Sequence, residues 1–219
     1  MTIAQRISER KIDFLYHFTT IENLFSILER EFIYSRSLID QLKLKSDGFY
    51  TGDYVDHMDA ERLDGLRDYI NLSLSRPHWY LLNKYSQRPE LKHFDWCILQ
   101  LNTEPLLRPD TLFSVCNAAS NTAKRYGISP GLNAFDNMFR DQVETPSRVY
   151  NRQNSPSHFT TDIQAEVLVK DQISTQNVQT VYLPSEKKLK RYQAAFNLLS
   201  LKSDLFAVSE PLFTAPVLR

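Results

Sequence analysis

The chain has 219 residues, 42% of them hydrophobic and 12% aromatic, enough to fill a sizeable core. Its 26 basic and 26 acidic residues cancel, which excludes a global field that drives the chain onto nucleic acid or anionic membrane; a nucleic-acid site has to be a local patch. No run approaches the ~18 apolar residues of a membrane helix, the first ten residues lack a signal-type apolar core, and with 5 glycines the GxGxxG and P-loop cradles are absent.

Cys97 and Cys116 lie in apolar runs without metal-type spacing. They read as reduced thiols packed in a core, so the expected location is the cytoplasm and the expected organisation is one domain over 1–219. None of the five histidines is spaced from another as a metal ligand pair, and no metal is expected.

In chain order, the polar N-terminus is followed by a short aromatic run, Phe14 to Phe18, which predicts a buried strand ending at Thr19-Thr20. Thr20 is placed to cap a helix to about Glu31, with Ile21, Leu24, Phe25, Ile27 and Leu28 on its apolar stripe and Asn23 in its first turn. A strand running into a helix with His17 at the junction is a natural anion site, although His17 reads equally well as a satisfied core histidine. Phe32 to Ser35 predicts a short strand. The irregular stretch 43–59, with Tyr50 between Gly48 and Gly52, is long for a connection and is a candidate substrate-covering loop. Asp59 to Gly65 predicts one or two helical turns carrying Arg62, with Arg67 just beyond; both arginines suit a phosphate, or an ordinary surface ion pair.

Tyr69 to Ser75 alternates strictly, with Ile70, Leu72 and Leu74 on one side and Asn71, Ser73 and Ser75 on the other, the pattern of a half-buried strand that turns small polar groups to water or to a ligand. A short aromatic helix follows Pro77. Trp96 to Leu101 and Leu112 to Cys116 predict core strands, and Asn117 to Ser120 breaks the second and opens a helix to Tyr126. Leu132, Phe135, Met138 and Phe139 have helical spacing. The polar stretch Arg148 to Asn154 reads as a solvated loop, or as a grip on single-stranded nucleic acid in which Arg148 and Arg152 take phosphates and Tyr150 stacks on a base. Val178 to Leu183 predicts a strand, Ser185 to Leu201 a capped helix and Leu205 to Val208 a last strand. Strands and helices do not alternate regularly, so the expected class is α+β.

Gln164-Ala165-Glu166-Val167-Leu168-Val169 is the stretch that asks for an explanation, because a carboxylate sits inside a strand-forming run. Buried without partners it would cost several kcal/mol, on the order of the penalty for any unpaired buried charge. Either Glu166 faces water from an edge strand, or a rigid strand holds it at a cleft.

Tyr16-His17-Phe18-Thr19 with Ile21-Glu22-Asn23-Leu24, then Phe113 with Asn117-Ala118-Ala119-Ser120 and Thr122, then Gln164 to Val169, taken in that order, resemble the DarT family of DNA ADP-ribosyltransferase toxins. The resemblance implies an ADP-ribosyltransferase-like split antiparallel sheet with surrounding helices, NAD as a consumed substrate, single-stranded DNA as acceptor, and a cognate antitoxin that removes ADP-ribose with a macrodomain. By the same resemblance Glu166 is the catalytic glutamate, His17, Thr19 and Asn23 contact or support NAD, and Arg62 serves the pyrophosphate or the base proton, with Arg67 as second choice. Ser73 is a further NAD-side candidate, and Tyr50, Asn117, Arg148 and Arg152 are candidates for holding DNA. Asn71 to Trp79 departs from the aromatic, proline-containing strand of thymine-modifying members, so the resemblance favours guanine over thymine. RNA or protein as the acceptor, or a silent nucleotide-binding module, are the competing readings.

Overall fold

The computed structural model describes residues 1–42, 65–153, 155–199, 201 and 203–215. Its helices are α1 (Ile3–Arg10), α2 (Ile21–Arg30), α3 (Arg36–Gln41), α4 (Trp79–Ser86), α5 (Asn121–Tyr126), α6 (Leu132–Asn137) and α7 (Glu186–Leu198). Its strands are β1 (Leu15–Thr20), β2 (Phe32–Tyr34), β3 (Tyr69–Leu74), β4 (Trp96–Leu101), β5 (Leu112–Ser114), β6 (Ser129–Pro130), β7 (Gln142–Glu144), β8 (Val149–Asn151), β9 (Glu166–Lys170), β10 (Gln172–Ser174), β11 (Val178–Leu183) and β12 (Phe206–Val208). Eight of these strands form one sheet in the order β12-β11-β4-β1-β3-β9-β5-β6, antiparallel except where β12 joins β11. The class is α+β, as the irregular element order predicts.

Local chemistry explains most boundaries. The Thr20 hydroxyl accepts from the Asn23 amide at 3.3 Å to start α2, and Glu31, at φ +62°, ends it in the left-handed region. Ser35, Ser120 and Ser185 cap α3, α5 and α7 in the same way. The unforeseen elements include a helix and a hairpin. The N-terminus forms α1 through a capping box, in which Thr2 accepts from the Gln5 amide and the Gln5 side chain accepts from the Thr2 amide, and Ile3 and Ile7 lie against the core. The polar stretch around Tyr150 is not a plain loop, because Val149–Asn151 pairs with Gln142–Glu144 as a hairpin.

The sheet has two faces of different character. Leu15, Leu72, Leu74, Leu99, Leu101, Phe113, Val167 and Val169 point into the main core, where α2 and α7 pack against them. The opposite face carries a polar row that crosses five strands: Gln100, Tyr16, Ser73, Glu166 and Ser114 are successive cross-strand partners. Near Tyr16 this face is covered by Leu82 of α4 together with Phe18, Trp96 and Ile98.

Asp95, just before β4, ties three elements together. Its carboxylate accepts from Lys188, from Arg191 at 3.1 Å and from the Tyr192 hydroxyl at 2.6 Å, while its carbonyl accepts the first amide of α2 at 2.9 Å. Burial pushes that carboxyl up, and its donors on α7 outweigh burial to hold it below the ordinary range.

Leu99, on the central strand β4, has no exposed surface, whereas Leu198 at the end of α7 is 85% exposed. Leu99→Ala is expected to cost about 2–5 kcal/mol in urea unfolding and Leu198→Ala less than about 0.5 kcal/mol; equal costs would contradict this placement of the core.

Candidate active site

The ladder between β1 and β3 is interrupted. β1 pairs with β4 over all six of its residues and β3 with β9 over five, but β1 meets β3 only at Leu15↔Leu74 and Tyr16↔Ser73. Beyond that point the strands part, and the ring of His17 takes the place of ladder hydrogen bonds: its Nδ1 lies 3.0 Å from the Asn71 carbonyl oxygen. A carbonyl only accepts, so Nδ1 carries the proton and Nε2 is left with the lone pair in the neutral ring. Burial lowers the pKa of His17 more than the Asn71 carbonyl raises it, which favours that neutral form.

Asn71 bridges the split to β9. Its side-chain amide donates to Glu166 Oε2 at 3.2 Å while its backbone holds His17. Glu166 is 3% exposed and β9 lies between β3 and β5, so the reading of a solvent-facing glutamate on an edge strand does not hold. The Ala118 amide is the second donor to Oε2, at 2.8 Å. The loop that aims this amide is built from short polar side chains: Ser114 donates to the Cys116 carbonyl at 2.8 Å, and Asn117 Oδ1 accepts from the Ala119 amide at 3.0 Å. His17, Asn71 and Glu166 thus form one hydrogen-bonded line across the split.

The surroundings of Glu166 are strongly desolvated. Cys116 is 2% exposed; burial, with Asp162 and Glu166 nearby, pushes its thiol up to about 11, and burial raises Cys97 further. Both cysteines are therefore protonated packing groups at neutral pH, as their apolar settings predict. Asp162 has no exposed surface; its Oδ1 accepts from the Gln164 amide at 2.8 Å, its Oδ2 has no hydrogen-bond partner, and burial pushes it up to about 6 despite the charge of Arg76. Among the described residues no cluster of His, Cys, Asp and Glu could hold a metal ion.

The predicted site residues have different fates. Thr19 is buried on β1 opposite Cys97, and Asn23 sits in the first turn of α2 directly after it. Ser73 faces Glu166 in the ladder, but its hydroxyl donates to the Tyr16 carbonyl at 3.3 Å and is a sheet fastener. Arg67 is paired with Asp40 at 2.8 Å, two residues before β3. Arg148 is exposed, its guanidinium 5.1 Å from the centre of the Tyr150 ring. Arg152 is a correction: it donates to the carbonyls of Phe159, Pro156 and Ser157 at 2.7, 3.2 and 3.1 Å, so it clamps its own loop. Arg62, Tyr50 and the 43–59 loop lie outside the described residues. Sequence reasoning missed the bridging role of Asn71, which alternation alone makes any polar residue of β3, and the Ala118 amide, which no side-chain pattern can reveal.

A split antiparallel sheet with a buried glutamate near the split is the arrangement that the resemblance to ADP-ribosyltransferases implies. A family model described as "ssDNA thymidine ADP-ribosyltransferase, DarT" matches residues 16–213, and the chain belongs to the DarT family. Its fold is similar to that of Thermus sp. 2.9 DarT in complex with ADP-ribosylated ssDNA (TM-score 0.61, 13% identity, 93% of this chain and 97% of that one). It is also similar to the same DarT in complex with NAD+ (TM-score 0.60, 12% identity, 92% and 97%) and to Thermosipho africanus DarTG in complex with ADP-ribose (TM-score 0.56, 17% identity, 91% and 50%). Among curated proteins, none matches significantly.

The raised pKa of Asp162 makes a pH prediction. Between its ordinary value and about 6 the folded state holds a proton that the unfolded state has released, so this residue's contribution to stability falls as pH rises through that window. Asp162→Asn abolishes the window, and from about pH 4 to about pH 7 the wild type is expected to lose roughly 3 kcal/mol relative to the variant. Urea unfolding across that range checks it; a pH-independent difference between the two proteins would contradict the assignment.

Proposed function

We propose that this protein transfers ADP-ribose from NAD to a base of single-stranded DNA, with Glu166 as the catalytic carboxylate. The observation that carries the reading is the position of Glu166: buried on a central strand beside the split, gripped by the Ala118 amide and by Asn71, and connected through Asn71 to His17. Cleaving the bond between nicotinamide and ribose sends the bonding pair to the nicotinamide nitrogen and leaves an oxocarbenium-like sugar. A carboxylate fixed by two donors on a rigid strand stabilises that charge without having to reorganise, and a base nitrogen attacks as nicotinamide leaves. His17 Nε2, its tautomer set by Asn71, is assigned to an NAD hydroxyl, with Thr19 and Asn23 alongside. Arg62 is assigned to the pyrophosphate or the base proton.

Single-stranded DNA fits because a nitrogen used in base pairing is out of reach inside a duplex. Exposed Arg148 beside Tyr150, and the loop of Asn117 next to the Ala118 amide, are assigned to holding the strand. The reading favours guanine over thymine, on the polar Asn71 and Ser73 of β3 where thymine-modifying relatives have an aromatic strand. The same reading gives the protein a toxin role in the cytoplasm, with a partner antitoxin whose macrodomain removes the modification.

The test is labelled NAD offered to DNA, RNA and cell lysate in parallel, with mass spectrometry of single-base oligonucleotides. DNA labelling on guanine is expected. Glu166→Ala is expected to remain folded and to lose labelling by on the order of 10²-fold or more. Labelling that survives this substitution removes Glu166 from the chemistry. Labelling confined to RNA or protein changes the acceptor, and no nicotinamide release with any acceptor leaves only a silent binding module.

A further inference from the structure

The surface beyond Tyr150 carries a second aromatic and basic feature that the chemistry at Glu166 does not use. Tyr126, at the end of α5, packs together with Tyr150 and Ile128 on a small core of Val115, Cys116, Ala123 and Val143. Its ring is flanked by two guanidiniums, Arg140 at 4.6 Å and Arg125 at 5.0 Å from the ring centre. The assembly is held in place: the Tyr126 hydroxyl accepts from the Glu144 amide at 3.1 Å, and Arg125 donates to the Glu144 carbonyl at 2.5 Å. Arg140 differs from Arg125. Both are exposed, but the Arg140 guanidinium makes no hydrogen bond or ion pair among the described residues.

Tyr126 and Arg140, with Asp141, Gln142 and Glu144, line an open cleft of about 530 Å³, within the range of small-ligand pockets. Its lining combines one guanidinium, Arg140, with two carboxylates, Asp141 and Glu144. That combination suits one nucleotide of a strand better than a bare anion: the guanidinium, planar and stacked on tyrosine, takes a phosphate or a base face, while the carboxylates accept from exocyclic amino groups and reject phosphate. The cleft is joined to the surroundings of Glu166 by side-chain packing. Burial raises the pKa of the Tyr150 hydroxyl against the opposing hydrogen bond of the Gln164 side chain, two residues from Glu166, and Tyr150 and Tyr126 share the small core that includes Cys116, two residues from the Ala118 amide.

We propose that Arg140 and the Tyr126 cleft form a second nucleotide subsite, which holds the single strand away from the base presented to Glu166. The proposal rests on the DNA-modifying reading above. It makes substrate length a property of this face: an oligonucleotide too short to reach from Glu166 to Arg140 reacts without this contact, and a longer one gains it.

The experiment is steady-state labelling of a series of oligonucleotides with one target base and increasing length, comparing the wild type with Arg140→Ala and Arg140→Glu. For the wild type KM should fall once the strand reaches the cleft. Arg140→Ala is expected to raise KM for long strands about tenfold, Arg140→Glu to raise it further, and both to leave kcat, the KM for NAD and the KM for the shortest strand unchanged. The salt dependence of long-strand binding should weaken by about one counterion in slope. Wild-type KM on long strands in both variants, or an equal rise at every length, overturns the subsite while the DNA reading stands; a wild type that labels no DNA at any length overturns both.

Discussion

The site depends on a sheet that stops zipping. β1 and β3 share two residue pairs and then diverge, although each continues as a full partner of the strand on its other side. A parted ladder leaves backbone groups that must find other partners, since an orphaned buried carbonyl costs on the order of 1–3 kcal/mol. His17 meets this need at Asn71 with one ring nitrogen, and the other is thereby given a defined state. Glu166 lies one strand further on, on β9, opposite Ser73 of the last β1–β3 pair. The divergence of the strands and the histidine tautomer are two sides of a single break in hydrogen bonding, while the unbroken ladders of β9 with β3 and β5 place Glu166.

Rigidity around that break is supplied from outside it. Asp95 fastens α7 to the start of β4 and to α2, so the half of the sheet carrying His17 is braced by three donors from one helix. On the other half, the turn of Ser114, Asn117 and Ser120 presents a backbone amide where a longer side chain would have to be ordered at an entropic cost. Within that half Glu166 is held by one donor from each neighbouring strand, Asn71 of β3 and Ala118 of the loop after β5. The role proposed for Glu166, stabilising a short-lived cation, needs this, because reorientation during the reaction would return much of the benefit.

The arginines show how little residue type alone conveys. Arg148 and Arg152 flank the same tyrosine and look equivalent as phosphate ligands. In the folded chain Arg152 turns inward to three carbonyls of the 156–159 loop, while Arg148 stays at the surface beside Tyr150. Arg140, in a stretch with no sequence feature to recommend it, emerges on a tyrosine face because the β7–β8 hairpin folds back onto α5.

The sequence by itself determined the class, most strands and the capped helices, and it marked Glu166 as a residue that needs an explanation, because these follow from short-range rules: alternation along a strand, hydroxyl caps, and the cost of a charge inside an apolar run. It also carried the order of motifs by which the family resemblance was drawn. Only the tertiary structure decided that β9 is internal, that Asn71 rather than Ser73 reaches Glu166, and that the Ala118 amide completes the grip. Those outcomes depend on which strands become neighbours and in what register. Partners such as Asn71 and Glu166, 95 residues apart, leave no mark on the local pattern of either.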